Sequence, residues 1–218
     1  MVDTSLLDYL EGFISGERKE RFSRILANRT KYITVAAEDV FQLHNTSALI
    51  RSCEVFGIQE AHVVEDRFGK RLDKNIAMGA QQWVDVHRYP SARDCISSLR
   101  EKGYEIIATT PHNDSCLLDD FRLNTKTAFF FGTEKEGLSS EVQQLADGFL
   151  KIPMVGFTES LNVSVAAAIL LQRISSELRQ SDLDWHLTVV EIMEKRLDWT
   201  KKSIKSIDKI LARYAKEI

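Results

Sequence analysis

The chain has 218 residues, of which 44% are hydrophobic and 28% are charged, and its formal net charge is −3 at pH 7. These values are typical of a globular protein with one large domain, or with one domain and helical additions. No apolar run is long enough to span a bilayer, and acidic residues near the start exclude a signal peptide. Cys53, Cys95 and Cys116 lie far apart, which predicts reduced thiols and a cytoplasmic setting.

Basic residues are concentrated near the two ends of the chain. Residues 17–31 carry six basic and two acidic side chains, and residues 195–218 carry eight basic and three acidic ones. Basic ends on an acidic body are typical of a protein that binds a polyanion, and also of ordinary solvated helices. The candidate polyanion-binding residues are Arg18, Lys19, Arg21, Arg24, Lys195, Arg196, Lys201, Lys202 and Lys205.

Strands and helices alternate through the first three quarters of the chain. Two short helices are predicted over 3–15 and 17–29, with a break at Gly16. Strands are predicted over 32–40, 60–65, 82–89, 104–110, 127–132 and 149–153. Helices are predicted from Asn45 to Gly57, over 91–102 and over 139–147, and loops around Gly69 and up to Gly79. This alternation indicates an α/β fold with a mostly parallel sheet, with the fully apolar strand TAFFFG at its centre.

The last fifty residues are predicted to be helical, with one break near Ser181, where Ser181 and Asp184 have the spacing of a capping box. From Val190 onward, a row of residues recurs at alternating spacings of three and four. Its members are Val190, Met193, Leu197, Thr200, Ile204, Ile207, Leu211, Tyr214 and Ile218. This is a heptad seam, so we expect one long helix that packs on the first two helices of the same chain or of a partner chain. The apolar stripe is too narrow for a membrane-surface helix.

The stretch IPMVGFTESLNVSVAAAILL, residues 152–171, joins a strand end to a buried helix. A turn at Gly156 is followed by a polar segment that contains Ser160 and Asn162. A strand, a glycine turn and polar residues at a helix start can present hydrogen-bond donors to a small ligand. The alternative is that Ser160 and Asn162 only cap the helix.

Two further stretches contain candidate site residues. In NTSALIRSCEVFGI, Asn45 lies at a helix start and Arg51 lies mid-helix among apolar neighbours, so we expect Arg51 to be paired or to reach into a cleft. In AFFFGTEKEGLSSEV, a buried strand is followed by Gly132, Glu134 and Gly137, and glycines permit the close backbone approach of a ligand pocket. The spacing is neither Walker A nor GxGxxG, which disfavours a nucleotide triphosphatase or a dinucleotide dehydrogenase.

In this order, the three stretches resemble the motifs of the SPOUT superfamily of RNA methyltransferases, and within it the TrmH branch of 2′-O-ribose methyltransferases. The resemblance covers about residues 33–171, without a departure at the key polar positions. It implies an S-adenosylmethionine-binding C-terminal trefoil knot, a homodimer, and no metal. It implies a cofactor cleft lined by Thr109, Thr110, Gly132, Ile152, Met154 and Leu161. The implied catalytic and substrate-side residues are Asn45, Arg51, Glu134, Ser160 and Asn162.

The resemblance also suggests a substrate and a domain organisation. Segments 1–31 and 181–218 are expected to be basic helical extensions of a methyltransferase domain over 32–180. Since about thirty residues are too few for a separate RNA-binding domain, the implied substrate is guanosine 18 in the D-loop of tRNA. The alternatives are another tRNA position, ribosomal RNA, or a catalytically silent knotted RNA-binding protein.

The chemical role of Arg51 depends on the high basicity of its guanidinium group. Because a guanidinium holds its proton too tightly to act as a general base, we expect Arg51 to clamp a phosphate and stabilise the developing alkoxide. The alternative is a salt bridge that holds the dimer together.

Overall fold

The computed structural model describes residues 3–40, 43–65, 79–111, 115–133 and 135–217. They form two compact units. One comprises Thr30–Trp185, and the other comprises Met1–Arg29 together with His186–Ile218. The predicted loop around Gly69 lies outside the described residues.

The elements follow the predicted alternation. The helices are α1 Thr4–Glu11, α2 Gly16–Leu26, α3 Leu43–Val55, α4 Ala92–Glu101, α5 Ser140–Leu145, α6 Val163–Gln180, α7 Val189–Ser203 and α8 Ile207–Glu217. The strands are β1 Ile33–Glu38, β2 Glu60–Val64, β3 Asp85–Tyr89, β4 Glu105–Thr109, β5 Cys116–Leu117, β6 Thr127–Phe131 and β7 Gly148–Lys151. The two-residue strand β5 and a 3-10 helix over Ala80–Gln82 were not predicted, because elements this short carry no periodicity.

In the part of the chain that the structure describes, seven strands form one sheet in the order β3-β2-β1-β6-β4-β7-β5. Every neighbouring pair is parallel. The predicted α/β fold with a parallel sheet is therefore confirmed, and β6 is its central strand. All five residues of β6 are buried, as a strand covered on both faces requires.

Helices cover both faces of this sheet. Phe129 and Phe131 of β6 pack in one apolar cluster together with residues of α3 and α6. Phe130, which lies between them, packs in a second cluster with residues of α4 and α5. Successive side chains of a strand point to opposite faces, so the run of three phenylalanines contributes to both cores.

The strand order places later strands between earlier ones. Strand β6 lies between β1 and β4, and β7 lies between β4 and β5. Thr109 at the end of β4 and Cys116 at the start of β5 are both in register with Leu150 of β7. The connection from β4 to β5 therefore joins two strands that flank β7 at its carboxyl end.

The unit formed by both chain ends contains α1, α2, α7 and α8. Trp199 of α7 is 1% exposed, and its ring packs edge-on against Phe22 of α2. Arg196 of α7 forms a bidentate ion pair with the buried Glu11 of α1. The buried aromatic side chain and the paired arginine thus join helices α1, α2 and α7 around a common core.

Several local predictions were wrong. Helix α2 begins at Gly16, and the preceding break lies over residues 12–15. Helix α3 begins at Leu43, so Asn45 lies inside it. Ser181 ends α6 as its C-cap, and the capping box is formed by Thr188 and Glu191 at the start of α7.

The predicted single C-terminal helix is also wrong. Ile204 ends α7, and Ser206 has a left-handed φ of 55° before α8 begins. The heptad spacing of apolar residues continues across this break, so the spacing alone does not reveal that the helix is interrupted. No helix among the described residues is both long and apolar enough to cross a bilayer.

Candidate functional site

A cleft of about 370 Å³ lies at the carboxyl edge of the sheet. It is bounded by residues that follow β4, β6 and β7 and by the first turns of α6. The structure brings together in its wall all six residues of the predicted cofactor set, Thr109, Thr110, Gly132, Ile152, Met154 and Leu161. Ser160 of the predicted catalytic set lines the same cleft.

Hydrogen bonds tie the end of β4 to its two neighbouring strands. The Thr109 hydroxyl donates to the carbonyl of Phe130 at 2.7 Å. The backbone N–H of Thr110 donates to the carbonyl of Leu150 at 3.0 Å. These bonds hold the adjacent strand ends together, so this wall of the cleft rests on the sheet itself.

The loop after β6 is closed by its own backbone. Thr133 and Gly137 exchange two N–H···O=C bonds of 3.0 Å each, and Gly137 has a φ of +70°. A Cβ on Gly132 would lie 2.2 Å from the carbonyl carbon and oxygen of Gly137. Glycine is therefore required at position 132 because the chain approaches itself there, a different reason from the predicted approach of a ligand.

Glu38, which the sequence reasoning missed, anchors this loop to the sheet. Its buried carboxylate accepts the Ser139 N–H at 2.8 Å and the Ser139 hydroxyl at 2.6 Å. The Gln143 side chain donates to the carbonyl of Leu138 at 2.9 Å. The sequence feature that could have identified Glu38 is its position, an acidic residue directly at the carboxyl end of a buried strand. Glu38 also lines a neighbouring cavity of about 210 Å³.

Asn45 and Asn162 join α3 to the start of α6. Asn162 caps α6 by accepting the Ser164 N–H at 2.9 Å, and its amide donates to the side-chain oxygen of Asn45 at 3.1 Å. Asn45 is 2% exposed. Asn162 is thus the N-cap of α6, and Asn45 holds the Asn162 side chain from inside α3.

The remaining predicted catalytic residues lie apart from this pair. Arg51 is exposed on α3 and does not belong to the described lining of the cleft. Position 51 falls on the outer face of the helix, so of the two expectations for Arg51, pairing or reaching into a cleft, the described lining of this cleft does not support the second. Glu134 lies outside the described residues.

The predicted polyanion-binding residues all lie in the unit of terminal helices. Arg18, Arg21, Arg24, Lys202 and Lys205 are exposed, whereas Lys19, Lys195, Arg196 and Lys201 are half-buried. The Arg196 guanidinium is occupied by Glu11, and Lys202 Nζ lies 2.7 Å from an Asp198 oxygen. These two cations thus already have acidic partners within the unit.

The cleft combines an apolar interior with charged residues of both signs. Phe131, Leu150 and Leu170 contribute apolar lining, and Lys135, Lys151, Glu136 and Glu159 supply the charges. Across the described ranges, no group of three or more His, Cys, Asp or Glu side chains could hold a metal ion. A parallel α/β protein with such a cleft at the carboxyl ends of its strands falls in the class that binds a small ligand at that edge.

Comparisons with known proteins narrow this class. Residues 32–172 match the SpoU rRNA Methylase family. The chain is 40% identical over 197 residues to a tRNA (guanosine(18)-2′-O)-methyltransferase of Borreliella burgdorferi, covering 90% of each chain. It is 35% identical over 187 residues to the protein of that name from Thermus thermophilus, covering 85% of this chain and 96% of the relative.

A solved structure agrees with these relatives. The crystal structure of the A. aeolicus TrmH/SpoU tRNA modifying enzyme is similar with a TM-score of 0.76 at 27% identity. The match covers 87% of this chain and 98% of that one. The chain belongs to the SpoU rRNA Methylase family.

Proposed function

We propose that this protein transfers a methyl group from S-adenosylmethionine to the ribose 2′-hydroxyl of guanosine 18 in tRNA. The observation that carries the proposal is the cleft at the carboxyl edge, where the six cofactor residues named by motif resemblance meet Ser160. Family membership supports methyl transfer, and the relatives' names support the tRNA nucleotide.

The residues of the cleft fit S-adenosylmethionine. A volume of about 370 Å³ lies within the range of small-molecule sites. The apolar lining suits a purine ring, and Glu159 and Lys151 are of the charge types that pair with an ammonium and a carboxylate. When bound, this cofactor supplies an already activated methyl group, so the protein contributes position and charge.

The residues of this chain then act on the acceptor ribose. Ser160 orients the ribose or the methionine end of the cofactor, and the Asn45–Asn162 pair fixes the start of α6 beside it. Arg51 remains charged, clamps a substrate phosphate and stabilises the developing alkoxide, while the 2′-hydroxyl proton passes to water or to another acceptor. Glu134 supports the loop after β6, a role that rests on the resemblance alone.

We propose that the working form is a homodimer. Val155 and Phe157 after β7 are fully exposed, and Val165 and Ile169 on α6 are 47% and 40% exposed. Large apolar side chains that are left exposed favour a protein partner. We take this partner to be a second copy of the chain, in which Arg51, exposed on α3, acts on the cleft of the other subunit.

We also propose that the chain is knotted. The β4–β5 connection joins strands on both sides of β7 at the level of Leu150, and the chain continues from β7 to α6 at that edge. If the chain after β7 passes beneath that connection, it threads through a loop, which protein chains rarely do. The strand order supports this proposal.

The domain organisation follows from these roles. Residues 32–180 form the methyltransferase domain, and segments 1–31 and 181–218 contact tRNA phosphates through their exposed basic side chains. Binding is then sensitive to salt and governed mostly by RNA shape. The protein acts in the cytoplasm, where tRNA is found.

Labelled S-adenosylmethionine and bulk tRNA test the activity directly. We expect label in tRNA, mapped to the 2′-oxygen of guanosine 18, and lost when that ribose is already methylated. Label at another nucleotide, or in ribosomal RNA, would establish one of the alternative substrates. Cofactor binding by calorimetry without any transfer to RNA would indicate a silent RNA-binding protein.

Mixed dimers test the role of Arg51. One subunit carries Arg51→Ala and the other carries Leu161→Trp, which fills the cleft. If Arg51 serves the partner's cleft, each mixed dimer keeps one complete site and about half the wild-type activity. If Arg51 serves its own cleft, the mixed dimer is inactive.

A further inference from the structure

The residues that line the cleft lie at different depths. The floor of the cleft is apolar, since Phe131, Leu150 and Leu170 are at most 2% exposed. Lys151 is half-buried, whereas Lys135 is exposed. Among the lining residues that the structure describes, Lys135 is thus the cation at the mouth of the cleft. A ligand that stays outside the cleft can therefore reach Lys135.

The backbone around Lys135 is held on both sides. Thr133 and Gly137, two positions before and two positions after it, exchange two backbone hydrogen bonds of 3.0 Å. The Glu136 N–H donates to the Thr133 hydroxyl at 2.9 Å. The loop therefore fixes the Cα atom of Lys135 at the mouth, while its long side chain can adjust to a ligand.

The chemistry of the proposed acceptor brings a negative charge to this mouth. In RNA, the 2′-hydroxyl and the 3′-phosphate are attached to adjacent carbons of one ribose. A cleft of about 370 Å³ has room for a small molecule but not for a folded RNA, so the acceptor ribose must approach from outside. Its 3′-phosphate then lies near the mouth when the 2′-oxygen meets the methyl group. A cation at this position offsets the phosphate charge and restrains the ribose.

We propose that Lys135 binds the phosphate on the 3′ side of the methylated ribose and so positions the 2′-oxygen for transfer. The proposal rests on the proposed methylation of tRNA, and it names the residue that holds the acceptor nucleotide in the subunit that holds the cofactor. Lys135 differs in this from Arg51, which lies outside the described lining of the cleft. A contact to a phosphate reads no base, so Lys135 sets the position of the acceptor and not its identity.

Acidic neighbours are compatible with this role. Glu134 and Glu136 flank Lys135 in the sequence, and Glu159 lines the same cleft. An ammonium group has three N–H donors, so it can donate to a carboxylate and to a phosphate oxygen at the same time. The role of Lys135 therefore depends on where its ammonium group lies, and not on the absence of a protein partner.

A substrate with one neutral phosphate tests this contact. Full-length wild type and Lys135→Gln are compared on tRNA and on tRNA with a methylphosphonate between nucleotides 18 and 19. The measurement is kcat/KM for methyl transfer, with thermal unfolding as the check on folding. The matched control is Lys102→Gln. Lys102 is an exposed lysine whose Nζ lies 3.7 Å from a Glu60 oxygen and which lies outside the described lining of the cleft.

Loss of one charge-assisted hydrogen bond should lower kcat/KM about ten- to a hundredfold. We expect this loss for Lys135→Gln on normal tRNA and for the wild type on the methylphosphonate. Lys135→Gln should lose less than about threefold more on the methylphosphonate, because the contact is already absent. Lys102→Gln should behave as the wild type on both substrates. If the losses from Lys135→Gln and from the neutral phosphate multiply, the proposal is wrong.

Two further measurements exclude other roles for Lys135. With the methylphosphonate between nucleotides 17 and 18, the losses from the protein and from the RNA should multiply, because Lys135 does not contact that phosphate. The S-adenosylmethionine Kd of Lys135→Gln, measured by calorimetry, should stay within about twofold of the wild type. A rise of about tenfold or more would assign Lys135 to the cofactor and overturn the proposal.

Failure of this inference can be told apart from failure of the proposed function. If the wild type transfers no methyl group to guanosine 18, both fail. If it methylates guanosine 18 but the losses at the 3′-phosphate multiply, the proposed function stands and the assignment of Lys135 alone is wrong.

Discussion

The anchor between Glu38 and Ser139 allows a quantitative prediction. Glu38→Gln keeps the size of the side chain but replaces one of two accepting oxygens with a donor. The Ser139 N–H and hydroxyl bond separate oxygens of Glu38, at 2.8 and 2.6 Å. In the variant, the amide oxygen must accept the Ser139 N–H, so the amide nitrogen faces the Ser139 hydroxyl, which then accepts instead of donating. Because Glu38 is only 5% exposed, water cannot readily replace it.

The expected cost follows from the strength of hydrogen bonds to a carboxylate. Loss of the carboxylate charge in both bonds, with reversal of one, should lower the free energy of unfolding by about 2–3 kcal/mol. For a protein of this size, that is a fall in Tm of about 5–10 °C. Residues 133 and 135–138 line the cleft, so the Kd for S-adenosylmethionine should also rise, about tenfold for each 1.4 kcal/mol of binding free energy that is lost.

A double-mutant cycle with Ser139→Ala tests the reasoning. This second variant removes the hydroxyl bond to Glu38 and the cap that the hydroxyl provides to the Val142 N–H at 3.2 Å, at a cost of about 1–2 kcal/mol. Urea unfolding of the wild type, both single variants and the double variant gives the coupling energy. We expect the double variant to lose at least about 1 kcal/mol less than the sum of the single losses. Losses that add within about 0.5 kcal/mol would refute the anchor.

Two more substitutions have expected outcomes. Gly132→Ala drives a Cβ to within 2.2 Å of the Gly137 carbonyl, so it should cost about 3 kcal/mol or more in urea unfolding. Gly156→Ala, whose Cβ meets no atom closer than 3.9 Å, is the matched control, and an equal loss there would contradict the argument. Burial lowers the pKa of His62 from 6.5 to about 3, so the unfolded chain alone takes up this proton as the pH falls below 6.5. Stability should then drop by about 2 kcal/mol between pH 6.5 and 5. His62→Gln should remove most of this pH dependence of the free energy of unfolding, measured in urea at each pH; an unchanged pH dependence in that variant would exclude His62 as its source.

The sequence by itself determined the layered α/β fold. Strand periodicity and turn residues are local properties, and a fully apolar strand such as TAFFFG requires cover on both faces wherever it lies. The predicted cofactor residues also meet in one cleft, because residues that follow parallel strands collect at the same edge of a sheet.

Only the tertiary structure decided the details of the site. Glu38 and Ser139 are 101 positions apart, and such a pair leaves no local pattern. Gly132 is required by the approach of the backbone at Gly137, which sequence alone does not distinguish from the approach of a ligand.

Tertiary packing likewise decided whether a charged side chain on a helix faces the core or the solvent. Arg51 follows apolar residues in the sequence, yet it lies on the outer face of α3, because the helix buries only the side that packs on the sheet and α6. The heptad seam continued through Ile204, but a left-handed Ser206 separates α7 from α8. Periodicity reports which residues can share a buried face, whereas packing against distant segments decides where a helix stops and what its faces contact.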